Sequence, residues 1–192
     1  MLERESLENA LGLLGALLQE QGTAAQLVVV GGSNLLLLGV LDRPTADVDV
    51  VALRSDDAYV RADVLPASLV DAVADVGATL GLGPRWLNTG PVSLMDFGLP
   101  SGWTTRVVVR RYGSLQLHLL GRADLVALKL YAAVDQGPGS KHFHDLHLLD
   151  PTPAQLLEGA RWTRTHEPSA GFEQELRRVL ALLGTEVGDG DL

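Results

Sequence analysis

The stretch from Val28 to Val51 decides the fold and reads VVVGGSNLLLLGVLDRPTADVDVV. Its β-branched start predicts a buried strand, and the glycine pair that follows predicts a tight turn. Ser33 is a good N-cap, so the leucines after it predict a short helix that ends at Gly39. Pro44 breaks this segment, and the alternation of acidic and apolar residues from Asp47 onward predicts a second strand.

Two features of this stretch point to phosphate and metal chemistry. Gly31 and Gly32 let the backbone approach a phosphate closely, and the amides that open the helix, with the Ser33 hydroxyl, can donate to its oxygens. Asp47 and Asp49 are two residues apart, so on a strand both carboxylates project from the same face. Two hard oxygen ligands facing a phosphate cradle suit a Mg²⁺ ion that bridges a nucleoside triphosphate. The alternative is a structural turn followed by two solvent-facing carboxylates.

Composition bounds the class of protein. A chain of 192 residues, 46% of them apolar, can bury a core without a disulfide or a structural metal. It contains no cysteine, which removes thiol nucleophiles, zinc ribbons and disulfide scaffolds. No apolar run approaches the ~20 residues of a membrane span and no signal peptide is recognised, so we expect a cytoplasmic protein. The formal net charge of −9 argues against a general nucleic-acid coat.

The remaining segments predict an α/β (α+β) fold in three parts. Residues 1–120 are expected to form a mixed sheet flanked by helices, residues 121–184 a helical lobe, and residues 185–192 a frayed tail. Leucines at helical spacing predict a first helix that ends near Gln21, and Pro66 to Leu80 predicts another. Residues 83–102 read as irregular, with one helical turn near Val92.

A hairpin and four helices are predicted after this irregular segment. The hairpin strands are Arg106 to Arg111 and Leu115 to Leu119. The helices are Ala123 to Val134, Lys141 to Leu149, Pro153 to Thr165 and Phe172 to Leu183.

The central stretch resembles the signature of the nucleotidyltransferase superfamily, the DNA polymerase β-like fold. In that signature an apolar residue, Gly, and Gly or Ser are followed at about ten residues by Asp-apolar-Asp; here Gly32-Ser33 and Asp47-Val48-Asp49 fill these places. The lead-in from Arg43 to Asp47 resembles the branch that contains toxins of type IV toxin–antitoxin pairs. The block Asp124 to Ala132, followed by Lys141 and Asp145, is similar to the helical motif of that branch.

This resemblance implies a metal-dependent transfer of a nucleotidyl group from an NTP to an RNA or protein hydroxyl. Asp47 and Asp49 would hold Mg²⁺ or Mn²⁺. Gly31, Gly32 and Ser33 would bind the phosphates, and Lys129 would be a further nucleotide contact; these four form the expected nucleotide-binding set. The partners implied are the NTP, the acceptor and a cognate antitoxin, with no membrane.

One departure from the family pattern leaves a second reading open. Active members usually carry a third carboxylate on a later strand, and the predicted hairpin strands contain no Asp or Glu. Asp96 lies in the irregular segment, and His118 is an alternative general base. Without the third acid, the chain would be a nucleotidyltransferase-fold protein that binds a nucleotide or a partner without turnover. An unrelated α/β domain is the third possibility.

Two features of the helical half also have alternative readings. Lys129 lies in a very apolar helix and either faces solvent or directs its charge into a cleft. The segment His142 to His147 either holds a transition metal or forms a polar helix face, on which Asp145 would pair with Lys141 four residues earlier.

Overall fold

The two strands of the central stretch pair with each other inside a mixed sheet. In this computed structural model, which describes residues 1–188 and 190–192, β1 (Ala25–Val30) runs antiparallel to β2 (Val48–Ser55). The valines of both strands are buried, since each strand lies between other strands of the sheet. Val30 lies opposite Asp49 in the ladder, so the last residue of β1 and the first residues of β2 lie side by side at the same end of the two strands.

Four further strands complete the sheet. They are β3 (Ala58–Arg61), β4 (Leu87–Asn88), β5 (Val108–Tyr112) and β6 (Leu115–Leu119). The strand order is β3-β2-β1-β6-β5. β4 lies outside this order and pairs with the start of β2. β6 is parallel to β1 and β4 is parallel to β2, whereas the β2–β3 and β5–β6 pairs are antiparallel.

The β5–β6 hairpin confirms the predicted one. Neither β3 nor β4 was predicted, because β3 is a mostly exposed edge without apolar alternation and β4 has only two residues. β4 falls within residues 83–102, which read as irregular.

Helices α1 (Arg4–Glu20) and α3 (Ala67–Leu80) share one hydrophobic core with the sheet. The leucines of α1 that predicted an amphipathic helix are buried there: Leu7, Leu11, Leu14 and Leu18. Gly15 of α1 packs so closely on the hairpin that a Cβ would lie 1.6 Å from the Tyr112 carbonyl oxygen. Shorter helices are α2 (Gly31–Leu38), α4 (Leu94–Phe97) and α5 (Trp103–Arg106).

The chain divides into two units, residues 1–98 with 104–120 and residues 99–103 with 121–192. The second unit contains α6 (Arg122–Gln136), α7 (Lys141–Leu149), α8 (Pro153–His166) and α9 (Ala170–Leu182). These helices confirm the predicted helical half and the α/β class. Ser140, Thr152 and Ser169 cap the last three helices by accepting backbone N–H bonds. No helix in the described ranges is long and apolar enough to cross a membrane.

Described residues of the segment after α9 contact the helices, and the fraying of residues 185–192 stays a prediction. Thr185 is buried, and Arg177 Nη1 donates to the Val187 carbonyl oxygen at 2.9 Å. Arg161 Nε donates to the Asp191 carbonyl oxygen at 2.9 Å. Asp189 lies outside the described residues.

A buried amide fixes α2 on the sheet. Asn34 Nδ2 donates to the Leu120 carbonyl oxygen at 3.2 Å, and the Leu120 N–H donates to Asn34 Oδ1 at 2.7 Å. Asn34 is fully buried, so both bonds form away from water. The Asn34 amide therefore supplies hydrogen-bond partners for both backbone groups of Leu120, the residue that follows β6.

We expect Asn34→Ala to lower the free energy of unfolding by about 2–4 kcal/mol, because it leaves a buried N–H and a buried carbonyl without partners. Urea unfolding measures the change. Asn9→Ala on the exposed face of α1 is the control and should change stability little. A loss at Asn34 as small as that at Asn9 would contradict this role.

Candidate active site

The turn after β1 brings the backbone against Asp49. Gly31, the first residue of α2, has φ of +76°, a left-handed conformation that favours glycine. A Cβ built on Gly31 would lie 2.5 Å from Asp49 Oδ2. The carboxylate of Asp49 therefore lies at the turn, in space that a side chain at Gly31 would enter.

Thr45 connects Gly32 with Asp47. A Cβ on Gly32 would lie 2.8 Å from Thr45 Oγ1, and this hydroxyl donates to the Asp47 carbonyl oxygen at 3.3 Å. Two backbone hydrogen bonds with Leu2 hold Thr45. The Leu2 N–H donates to the Thr45 carbonyl oxygen at 2.6 Å, and the Thr45 N–H donates to the Leu2 carbonyl oxygen at 2.9 Å. Thr45, two residues before Asp47, is thus packed against Gly32 and held by Leu2. No sequence pattern predicted the contact with Leu2.

Asp47 lies one residue before β2, where the sequence had placed it on the strand itself. It is half-buried, and its Oδ2 accepts a hydrogen bond from Asn88 Nδ2 at 2.9 Å. Asp47 lines a cavity of about 550 Å³ together with Arg85, Asn88, Thr89 and Gly90. The acid pair therefore borders two spaces: Asp49 lies at the glycine turn, and Asp47 lies at the cavity.

The strand beside the acid pair is β4, not a strand of the hairpin. β1 lies between β2 and the hairpin strand β6, so neither hairpin strand pairs with the strand of the acids. A third carboxylate was expected on a later strand, and β5 and β6 contain none. β4 pairs directly with β2 and places Asn88 opposite Asp49. Asp96 forms an ion pair with Arg61 at the edge strand β3. Across the described residues, no three His, Asp or Glu side chains are grouped to hold a metal ion.

Ser33 lies inside the first turn of α2 and does not cap it. The helix begins at Gly31, and the Ser33 hydroxyl donates back to the Val30 carbonyl oxygen at 3.4 Å. The side chain is fully buried. The predicted N-cap was therefore wrong, and in this conformation the hydroxyl is bound to the backbone of the preceding strand.

Lys129 belongs to the second unit and is paired within it. Its Nζ donates to Asp145 Oδ2 at 2.7 Å, and both side chains are buried. Asp145 therefore pairs with Lys129, not with Lys141 as its spacing on α7 had suggested. The role of Lys129 as a nucleotide contact stays a prediction, with its charge balanced by Asp145 in this conformation.

His118 is held on both sides by protein groups. Tyr59 Oη lies 3.0 Å from Nδ1 and Gln26 Oε1 lies 3.3 Å from Nε2, so both ring nitrogens are within hydrogen-bond distance of side chains. Burial lowers the pKa of His118, and the nearby Arg54 and Arg111 lower it further. Two side chains of the sheet therefore hold the ring in this conformation, and a role of His118 as general base stays a prediction.

The donor set of the acid pair fits a magnesium ion that is shared with a substrate. Mg²⁺ in proteins commonly binds one or two carboxylates, keeps several waters and takes its remaining ligands from substrate phosphates. Asp47 and Asp49 supply two carboxylates. The missing side chains at Gly31 and Gly32 leave room for Asp49 Oδ2 and Thr45 Oγ1 beside the turn, since a Cβ would lie 2.5 Å and 2.8 Å from these oxygens. A cation held this way depends on the phosphates for its affinity.

Comparison with known proteins gives one finding. A family model described as a nucleotidyltransferase of unknown function, DUF6036, matches residues 7–138. No curated protein and no solved structure matches the chain. The matched range contains the glycine turn, both acids, Asn88 and Lys129.

We expect Gly31→Ala and Gly22→Ala to lose about 1 kcal/mol each in the free energy of unfolding, because both glycines have positive φ. Only Gly31→Ala should also displace Asp49, since a Cβ at Gly22 meets nothing within 4 Å. Calorimetric titration with Mn²⁺ and a non-hydrolysable ATP analogue should show binding weakened at least about tenfold in Gly31→Ala alone. Equal affinities in the two variants would contradict the placement of Asp49.

The pKa of His118 predicts an acid-sensitive fold. Because burial lowers this pKa, the unfolded chain takes up the proton first as the pH falls through about 6.5, and stability declines below that pH. The free energy of unfolding, measured between about pH 7 and pH 5, should fall less steeply in His118→Gln than in the wild type.

His144→Gln is the matched control for this experiment. His144 is exposed on α7, so its variant should keep the wild-type slope. Burial also lowers the pKa of His166, but that residue is present in all three proteins and cancels in the comparison. Identical slopes for His118→Gln and the wild type would show that His118 is not the group responsible.

Proposed function

The chain belongs to the nucleotidyltransferase family DUF6036, and we propose that it transfers a nucleotidyl group from an NTP to a hydroxyl of an RNA or protein acceptor, releasing pyrophosphate. One observation carries this proposal. The carboxylate of Asp49 lies at a glycine turn that opens a helix, and Asp47, two residues earlier, lies at a cavity. An acid pair between a phosphate cradle and an open space suits nucleotidyl transfer.

In this proposal the start of α2 holds the β- and γ-phosphates. The first N–H groups of a helix have no partner within it, and the helix dipole adds positive potential at the same end. Gly31 and Gly32 let the phosphates approach these groups closely. Ser33 contributes its N–H, since its hydroxyl is bound to Val30.

Asp47 and Asp49 would hold the cation between the phosphates and the cavity. A bound Mg²⁺ or Mn²⁺ supplies charge neutralisation at the phosphates and makes the α-phosphorus more electrophilic. The protein's own contribution is to position the substrates and to present fixed donors and charges, which is how phosphoryl transfer is generally catalysed.

The cavity beside Asp47 is proposed as the approach of the acceptor. Asp49 occupies the turn side of the acid pair and Asp47 the cavity side, so a triphosphate on α2 and an acceptor in the cavity would meet at the acids. Arg85 lines this cavity and is exposed, and its guanidinium suits a phosphate of an RNA acceptor. The toxin of a toxin–antitoxin pair, with a cognate antitoxin as partner, is the biological setting that the resemblance adds.

A second candidate function has its own supporting observation. The strand next to the acid pair, β4, carries the amide of Asn88 and no carboxylate. A chain with two carboxylates can bind a metal–nucleotide complex without efficient turnover. It would then act as a nucleotide-binding or partner-binding module.

Assays of label transfer and of nucleotide binding separate these possibilities, and a variant without both acids tests the mechanism. We expect the wild type to incorporate label from α-³²P-labelled NTPs into total RNA or total protein, and Asp47→Ala with Asp49→Ala to lose at least about a thousandfold in rate, because several kcal/mol of charge stabilisation disappear. Gel autoradiography measures the transfer, and calorimetry measures the binding of each NTP with Mg²⁺.

Asp71→Ala with Asp135→Ala is the matched control, since both acids are exposed on helices and the net charge changes equally. This protein should retain the wild-type rate. Label transfer that survives loss of Asp47 and Asp49 would refute the proposed mechanism. Binding of Mg²⁺ and NTP without any transfer would favour the binding module.

A further inference from the structure

We propose that Asn88 is a positioning residue for Asp47, and that its amide limits the site to two carboxylates, so that cation binding requires the nucleotide. This inference rests on the proposed function. Asn88 lies in the segment that the sequence predicted to be irregular, and the fold brings it beside the acid pair.

The ladder between β2 and β4 places Asn88 on the face of the acids. Leu87 lies opposite Val48, and both are buried in the hydrophobic core. Asn88, the next residue, lies opposite Asp49, and successive side chains on a strand point to opposite faces. The amide is therefore directed away from the core, toward the side on which Asp47 and Asp49 lie.

Two hydrogen bonds fix the orientation of the amide. The Gly90 N–H donates to Asn88 Oδ1 at 2.7 Å, and Asn88 Nδ2 donates to Asp47 Oδ2 at 2.9 Å. The reversed amide would set its NH₂ against the Gly90 N–H and its oxygen against the carboxylate, which pairs donor with donor and acceptor with acceptor. Asn88 therefore presents an N–H, not an oxygen, to Asp47.

The backbone around Asn88 is anchored. Trp86 is buried, and its Nε1 donates to the Val73 carbonyl oxygen of α3 at 2.9 Å. The Val48 N–H donates to the Trp86 carbonyl oxygen at 2.7 Å, which ties β4 to the start of β2. A Cβ on Gly77 of α3 would lie 2.3 Å from the Gly83 carbonyl oxygen, so the helix also supports the loop that leads into β4.

An amide donor at this place has two effects on a cation site. It holds Asp47 in one orientation and occupies part of its Oδ2, as outer hydrogen-bond partners of metal ligands do. It also withholds the negative charge that a carboxylate would add, and oxygen sites for hard cations gain affinity with ligand charge. The protein alone should thus bind a divalent cation weakly, and the nucleotide phosphates should complete the site.

The test compares Mn²⁺ binding, measured by electron paramagnetic resonance, in the wild type, Asn88→Asp and Asn88→Ala. Asn88→Asp should bind Mn²⁺ without nucleotide at least about tenfold more tightly than the wild type. Asn88→Ala should bind Mn²⁺ with a non-hydrolysable ATP analogue about tenfold more weakly than the wild type, because Asp47 loses its partner. Asn9→Asp adds the same charge on α1 and should match the wild type.

Thermal unfolding guards against variants that merely fold poorly. Asn88→Asp should have a lower Tm than the wild type without metal, since a new carboxylate then faces Asp47, and should gain more in Tm from Mn²⁺. A purely structural Asn88 predicts lower Tm values with unchanged Mn²⁺ responses, and that result would overturn the inference.

The inference and the proposed function fail in different ways. If the wild type transfers label but Asn88→Asp binds Mn²⁺ no better than Asn9→Asp, only the inference is wrong. If the wild type binds Mn²⁺ only with the nucleotide and Asn88→Asp binds Mn²⁺ without it, but no label is transferred, the inference holds and the proposed transfer fails.

Discussion

The antiparallel pairing of β1 with β2 is the constraint on which the site depends. It places Val30 opposite Asp49, so the acid lies beside the turn that follows Val30. The turn can lie there only because Gly31 has no Cβ, since a methyl group would come within 2.5 Å of the carboxylate oxygen. Strand pairing and a missing side chain together bring an acid to the start of a helix. The sheet fixes the acid and the helix fixes the backbone donors.

Buried polar groups hold the elements around this junction in place. Asn34 satisfies the backbone at Leu120 and thereby fixes α2 relative to β6. Thr45 is hydrogen-bonded to Leu2 and packs against Gly32, and Trp86 is bonded to α3. Each of these bonds joins two different elements or segments of the fold. Polar groups buried in this way are costly to leave unpaired, so they define the arrangement as well as stabilise it.

Two side chains differ from the sequence prediction because their hydrogen-bond partners lie elsewhere than local spacing suggested. Ser33 has the sequence features of an N-cap, but its hydroxyl bonds to Val30 because the helix starts at Gly31. Asp145 has a lysine at helical spacing on α7, but it pairs with Lys129 of α6. The later strands that the sequence predicts are those of the hairpin, and they contain no Asp or Glu. A two-residue strand, β4, lies beside the acids instead.

The sequence by itself determined the order of elements and the residues of the glycine turn and the acid pair. These follow from local rules: β-branched runs, leucine periodicity, helix-ending glycines and the spacing of two aspartates. Only the tertiary structure decided that Asn88 is the neighbour of both acids and that His118 and Lys129 are engaged by other side chains. Strand order and side-chain partners depend on contacts between distant segments, and a strand as short as β4 carries no periodicity from which its place could be predicted.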